Sequence, residues 1–340
     1  MRHSGLTCTF LLSAGAALFG CKPQLGAPVS LIAGPTILAV RGNPAEAALG
    51  DQVVYEVLAV DREGRVPAAD SAITLPALWA ICSTPKPPIE TNAVSRACLD
   101  GVALPGQFGD GLDTYSAPMP SDACTLFGPI PPQAQAGQPA IRPRDPDFTG
   151  GYYLPVRVSL WIPEDMRRSG MAGTDTLVSF GLERIACGLA NAPSPIVRQY
   201  NATYTLNLNP RLAGVNLIDD AAGTTVVLMP AVVSHVGQGR TVTLEASWSD
   251  DSPESYPVYD VQTKTLIAHR EAMVVSWYAT EGAFEHDSTG RSGDETELVT
   301  DNHWTAPPAG PDRHVVHLWV VLRDDRGGTD FIGYDLEIDP

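Results

Sequence analysis

Thr241-Val-Thr-Leu-Glu-Ala-Ser-Trp248 decides how the chain folds. Val242, Leu244 and Ala246 alternate with polar neighbours, the period of a strand with one face on a core and the other in water. Similar runs lie on both sides. Thr225 to Met229 precedes it, and Ala272-Met-Val-Val-Ser-Trp-Tyr-Ala279 and Thr280-Glu-Gly-Ala-Phe284 follow. Val315 to Leu322 leads into the turn Arg323-Asp-Asp-Arg-Gly-Gly328, and Phe331 to Ile338 closes the chain. Residues 249–270 read as an acidic and polar insertion. Helical periodicity is nearly absent. Short strands separated by turn clusters predict an all-β chain of antiparallel sandwiches.

The upstream half repeats the pattern less cleanly. Thr36-Ile-Leu-Ala-Val40 and Gln52-Val-Val-Tyr-Glu-Val-Leu-Ala-Val60 are of strand length, and Asp61-Arg-Glu-Gly64 is a turn signal. A third strand runs Leu75 to Cys82 and carries Trp79. Between 101 and 150, 16 of 50 residues are Gly or Pro, a density that predicts a loop excursion rather than helix or long strand. Strand pattern resumes at Tyr152 to Trp161, Thr176 to Cys187 and Tyr204 to Leu208. The division that follows is a first sandwich over 35–209 with an insertion at 101–150, and a second over 210–340.

The N-terminus reads differently. Arg2 and the apolar segment Leu6 to Phe19 form the front of a secretory signal, too short to span a bilayer. It ends in Leu18-Phe19-Gly20-Cys21, which resembles the lipobox of bacterial lipoproteins. The resemblance implies a signal peptide over 1–20, lipidation of Cys21, a tether over 21–34 and a lipid-anchored place in the bacterial envelope. Lys22 is not the aspartate that retains such proteins at an inner membrane, which points to the outer membrane. Of six cysteines, Cys8 leaves with the signal and Cys21 takes the lipid. Cys82, Cys98, Cys124 and Cys187 remain, an even number in an oxidising compartment, so two disulfides are expected. Three pairings are open. The favoured one joins Cys82 to Cys98 across a short Pro-rich excursion and Cys124 to Cys187 across the long insertion. No C-x-x-C pair supports zinc.

Charge is uneven. Through residue 210 the chain has 17 acidic and 14 basic side chains, and from 211 onward 22 and 8, within a net of −17. The acidic second half argues against nucleic acid and anionic lipid surfaces as partners.

At the level of motifs, the second half resembles bacterial immunoglobulin-like domains of the PKD and cadherin-like kind. The residues that carry this are Val242-Thr-Leu-Glu-Ala, Ser276-Trp277 with Gly282 and Phe284, Trp304-Thr-Ala-Pro307, and Val320 to Gly328. The Trp-Asp-Phe-Gly-Asp core motif of the PKD family is absent. In the first half Gly50, the 52–60 strand, the 61–64 turn and Trp79 carry a thinner likeness. The resemblance implies immunoglobulin-like sandwiches, with Trp277 filling a core from the third strand and Asp324 to Gly328 turning between the last two.

Candidate sites are few. Asp145, Asp147 and Thr149, ahead of Gly150, follow the first half of a calcium loop. Val156 stands where the loop's bidentate Glu belongs and a strand follows, so a plain turn is the favoured reading. Cadherin-like modules bind calcium where domains join, and Asp250, Asp251, Asp324 and Asp325 at loop ends are a second candidate cation site, against simple solvation. His235, His269, His286, His303, His314 and His317 read as scattered surface residues. His314 and His317, three apart on a strand, are expected on opposite faces. Tyr152 and Tyr153 read as strand alternation, whereas Tyr256 and Tyr259 in the polar insertion are expected to be exposed and open to a glycan or protein partner. H-E-x-x-H, G-x-S-x-G and Walker-type motifs are all missing. The expectation is therefore a non-catalytic envelope lipoprotein acting in adhesion, scaffolding or partner binding, with no cofactor except possible calcium. The alternative is a carbohydrate-binding accessory module.

Overall fold

Alternation along the chain resolves into two sandwiches. The structure, a computed structural model, describes residues 28–66, 77–87, 90–101, 107–108, 114–131, 133, 147–161, 176–308 and 313–340. Its first half contains β1 (Thr36–Asn43), β2 (Glu46–Ala47), β3 (Gln52–Asp61), β4 (Gly64–Arg65), β5 (Ala77–Ile81), α1 (Arg96–Asp100), β6 (Gln107–Phe108), β7 (Thr114–Pro118), α2 (Ala123–Leu126), β8 (Gly151–Trp161), β9 (Thr176–Ala186) and α3 (Ser194–Thr203). One sheet sets β3 between β1 and β7, with β4 folded back on its end. The facing sheet runs β2-β9-β8-β5-β6.

The second half contains β10 (Leu212–Asp219), β11 (Thr224–Leu228), β12 (Val233–Gly237), β13 (Thr241–Trp248), β14 (Ser255–Asp260), β15 (Thr265–Arg270), β16 (Met273–Ala279), β17 (Ala283–Phe284), β18 (Ser288–Arg291), β19 (Val299–Thr305), β20 (His314–Asp324) and β21 (Thr329–Asp339). Its sheets run β11-β10-β13-β19-β17 and β12-β21-β20-β16-β18. The two halves share one plan. The first half opens with a divided strand, β1 pairing antiparallel in one sheet and β2 crossing to the other; in the second half β10 and β12 take these places, with β11, hairpinned onto β10, between them. In the other sheet of each, β2 lies parallel to β9 and β12 parallel to β21, so each sandwich is antiparallel apart from one pair. Trp79 on β5 and Trp277 on β16 occupy matching places, both fully buried, the position of the core tryptophan in immunoglobulin-type sandwiches. The cysteines pair as Cys82–Cys98 and Cys124–Cys187.

Several details differ from the sequence reading. Segment 101–150 is not loop throughout: Thr114–Pro118 pairs with β3, because Thr114, Tyr115 and Ser116 fall in a gap between the Gly and Pro residues. Residues 255–270 are a hairpin, β14 against β15, rather than an open polar insertion. The ten-residue helix α3 starts at a proline, whose fixed φ suits a first turn, and only Tyr200 of it is buried, which leaves little periodicity to read. The described end of the tether, from residue 28, is docked. Ser30 and Ile32 bracket the Ala279 backbone with two hydrogen bonds of 2.9 Å, and Ile32 is 2% exposed.

The sandwiches stack face to face. On β3, Val53, Tyr55, Val57 and Ala59 fill the first core, while Leu58 and Val60 point the other way. On β20, Val316, Leu318, Val320 and Leu322 fill the second core, while Trp319 and Val321 point out to meet Leu58 and Val60. Ile32, Leu38 and Ala39 complete this third apolar layer. Gly333, opposite Trp319 on β21, leaves the space the indole fills, since a Cβ there would lie 3.1 Å from the ring. Over residues 57–60 and 318–322 the two strands are covered on both faces, and both carry unbroken apolar runs there.

Truncating Trp319 removes the largest side chain in the middle layer. Trp319→Ala is expected to lower the free energy of unfolding by about 3–5 kcal/mol and to split a single urea transition into two, followed by tryptophan emission and far-ultraviolet dichroism. A single transition at the parental midpoint would mean that the sandwiches are held together elsewhere.

Candidate functional site

Beside the apolar layer, the seam holds a cluster of buried ionisable side chains. Arg326 stands in the turn between β20 and β21, its side chain 1% exposed. Its Nε donates to Glu271 Oε1 at 2.6 Å, Nη2 to Glu254 Oε2 at 2.8 Å and Nη1 to the Thr205 carbonyl at 3.3 Å. The Tyr256 ring lies 4.5 Å from the guanidinium carbon. Glu46 of the first sandwich is 4.0 Å from Nη1. Its Oε2 accepts from the Tyr204 hydroxyl at 2.5 Å and the Asn207 N–H at 3.0 Å, with Arg184 Nε 3.3 Å away. Arg184 faces Glu46 across the parallel β2–β9 pair. It also donates to Thr149 Oγ1 at 2.8 Å and the Tyr153 hydroxyl at 3.2 Å.

Asp324 shapes the turn that delivers Arg326. Its Oδ1 accepts from the N–H groups of Arg326 and Gly328 at 2.9 and 2.8 Å, and its carboxylate takes the Asn207 amide at 3.2 Å. A Cβ on Gly328 would meet Asp324 Oδ2 at 2.1 Å and the Leu208 carbonyl at 3.0 Å, so only glycine fits.

Carboxyl groups outnumber guanidiniums here, and proton affinity rises accordingly. Burial and then Asp324 push Glu271 up to about 8 against the pull of Arg326. Burial and the charge of Glu46 push Glu183, whose Oε1 has no hydrogen-bond partner among the described residues, up to about 9. Glu183 lines a cavity with Tyr55, Gly42 and Gly327 that is about the size of one water molecule. Each guanidinium is enclosed by acceptors and aromatic rings, and the cluster forms an electrostatic clasp between the sandwiches. A wider, open cleft of about 600 Å³ lies where Leu31 and Ile32 meet Arg62, Glu281, Ala283 and Pro307.

The residues singled out in the sequence are distributed as follows. Asp145 and Cys21 lie outside the described residues. Asp147 Oδ1 accepts from the Thr149 N–H and hydroxyl at 2.5 Å, and Thr149 in turn serves Arg184, so both oxygens act in the turn and the clasp. Asp250, Asp251, Asp324 and Asp325 are not gathered into one cation site. Asp251 pairs with Arg211 at 2.5 Å on the surface, Asp324 is buried in its turn, and Asp325 reaches toward His269 at 4.0 Å. Among the described residues, the one group of three metal-ligating side chains with mutually close donor atoms lies elsewhere. Tyr256 and Tyr259 are not exposed but 6% and 5% accessible. Their hairpin folds onto the seam, Tyr256 beside Arg326 and Tyr259 against Phe148, Leu189 and Tyr200. Tyr152 is buried in the first core, while Tyr153 points to the seam, its hydroxyl 3.2 Å from the Arg326 carbonyl. His317 and His314 go to separate carboxylates, Asp335 at 2.7 Å and Glu281 at 3.3 Å.

The clasp itself, built on Glu46, Arg184, Glu271 and Arg326, escapes the motif search. Its one signal is charge inside an apolar or tight-turn context, as in Leu182-Glu-Arg-Ile-Ala186 and Asp324-Asp-Arg-Gly-Gly328.

Two outcomes follow from these charges. Arg326→Ala leaves Glu271 and Glu254 without their cation, and is expected to cost about 3–5 kcal/mol in urea unfolding; a loss below about 1 kcal/mol, the range of an exposed ion pair, would remove the clasp. Glu183 and Glu271 hold protons more tightly folded than unfolded, so their contribution is full below the ordinary Glu range and is lost as pH rises through about 8 and 9. Unfolding free energy should therefore decline from pH about 5 to about 9, and Glu183→Gln should reduce the slope by about one proton. Equal slopes in the variant and the parent would show that Glu183 is ionised in the fold.

No protein family matches the chain, and no curated protein does. Among solved structures, dimeric latent PorU from Porphyromonas gingivalis aligns at 10% identity and TM-score 0.21 over 90% of this chain and 24% of that one. An alpha-2-macroglobulin variant from Salmonella aligns at 10% identity and TM-score 0.20, over 87% and 16%. The C-terminal domain of the Streptococcus pyogenes antigen I/II-family protein AspA aligns at 8% identity and TM-score 0.21, over 90% and 99%. The chain thus spans about a quarter or less of the first two. At these scores the likenesses carry no argument about this protein.

Proposed function

We propose that this chain is a non-catalytic lipoprotein of the bacterial envelope, tethered through Cys21 and presenting its paired sandwiches as one rigid block to a protein partner. The observation that supports a scaffolding role is the seam. An apolar layer and a buried ionic clasp weld two immunoglobulin-type units, where a flexible linker would have left them to move separately. The signal-like N-terminus with Cys21 supports the anchor. From Cys21 to the docked Ser30 the chain reaches at most about 30 Å when extended, which keeps the block close to the membrane carrying the lipid. The glycan reading has lost its aromatic platform, since Tyr256 and Tyr259 are committed to the seam.

Cys21→Ala, or globomycin treatment, is expected to leave the precursor unprocessed and to release the protein from lipid-dependent membrane association. Unchanged processing and fractionation would overturn the anchor. Crosslinking in cells, followed by capture of the tagged full-length chain, is expected to return one reproducible envelope protein. Retention on a glycan array with no protein captured would replace this reading with carbohydrate binding.

A further inference from the structure

The parallel pairing of β12 with β21 places three potential metal ligands on one surface. His235 sits directly opposite Glu337, and Asp339, two residues on, shares the face of Glu337 because side chains along a strand alternate. His235 Nδ1 lies 3.3 Å from Asp339 Oδ2 and 3.9 Å from Glu337 Oε1. The three donor atoms are all within 4.8 Å of one another. Ligands held 2.0–2.2 Å from a tetrahedral zinc ion are about 3.4 Å apart, so two of these spacings need only small side-chain adjustments. Backbone pairing, not a loop, sets them.

We propose that His235, Glu337 and Asp339 form a surface site for a divalent transition metal of the zinc type. One imidazole and two carboxylates make a mixed nitrogen–oxygen donor set, which suits zinc and its neighbours and not calcium, whose ligands are oxygens. Three protein ligands leave a coordination position for water. The site differs in place and chemistry from the calcium candidates read in the sequence.

Arg313 is the competitor. Its Nη1 lies 2.8 Å from Glu337 Oε1 and Nη2 3.3 Å from Asp339 Oδ1, so it holds both carboxylates while the metal is away. Its side chain is 62% exposed and has solvent to move into, whereas the three ligands are anchored on paired strands. The metal and the guanidinium therefore exclude each other, and the sign of an Arg313 substitution separates a metal site from a plain ion cluster. In an ion cluster, Arg313 does nothing but stabilise. In a metal site, removing it tightens binding.

The test is calorimetric titration of zinc chloride into the tag-free full-length chain in detergent, with cobalt(II) absorption as an independent readout of coordination. The expected result is saturable binding of one zinc ion per chain and a cobalt ligand-field band. His235→Ala and Glu337→Gln should each weaken zinc by about tenfold or more. His286→Ala, which alters an exposed histidine 3.8 Å from Glu285 and outside the proposed site, should change nothing. Arg313→Ala should bind zinc more tightly than the parent. Absence of saturable binding, binding indifferent to His235→Ala, or weaker binding in Arg313→Ala would each overturn the proposal. All of these positions are partly exposed at least, so loss of the fold does not stand in for loss of the metal.

Discussion

Burying a guanidinium costs several kcal/mol unless acceptors surround it, and Arg326 is buried at the junction of the two sandwiches. That single constraint organises much of the seam. Glu271 and Glu254 of the second sandwich supply the close acceptors, Glu46 of the first lies at the edge of the shell, and Tyr256 closes one face. Delivering the side chain requires the tight Asp324–Gly328 turn, which in turn requires glycine at 328. Arg184 does the matching work from the first sandwich, reaching the same Glu46. The segment around Tyr204 and Asn207 lies between them and donates to that carboxylate from both its hydroxyl and its backbone. Groups from both sandwiches share these partners, which favours one relative placement of the two domains.

The clasp specifies that placement, and the apolar layer supplies most of the attraction. Each large side chain buried between β3 and β20 is worth about 1.5–3 kcal/mol, while the ionic groups roughly balance their desolvation. Around the layer, polar contacts close the rim. Arg41 pairs with Asp330 at 2.7 Å and packs on the Phe331 ring at 4.7 Å, and Arg323 donates to the Leu38 carbonyl at 2.9 Å.

Period-2 alternation in β13 and the paired tryptophans were readable without a structure, because each strand reports its own faces. Stacking was readable only in hindsight. Val57-Leu-Ala-Val60 and Leu318-Trp-Val-Val-Leu322 break the alternation, and an unbroken apolar run says that a second face is covered without saying by what. Of the three cysteine pairings the sequence leaves open, the one favoured by spacing is the one formed, each bond closing one excursion. Tyr256 and Tyr259 were not legible, because acidic neighbours in sequence do not amount to water in space. Asp260 at the end of β14 does face solvent in part, but Tyr256 and Tyr259, three apart and so on opposite faces of the strand, are both covered, Tyr256 by Arg326 and His269 and Tyr259 by Phe148, Leu189 and Tyr200. Charges drawn together from positions 46, 184, 271 and 326 have no local signature, and only the fold assembles them.

The stack also explains why the two outer faces differ. The sandwiches share a plan but meet through unlike sheets, the β1-β3-β7 sheet of the first against the β12-β21-β20-β16-β18 sheet of the second. Such head-to-tail contact does not close on itself, and an unprotected outer face would invite another copy. On the first sandwich, the Cys82–Cys98 excursion packs Val94 and Leu99 against Phe180 and covers part of that face. On the second, the outward positions of β13 and β19 are polar, with Thr241 bonded to Thr305 at 2.9 Å and Thr243 to His303 at 3.1 Å. Glu245 and Asp301 stand opposite each other on the same surface, adding like charge where a neighbour would have to dock.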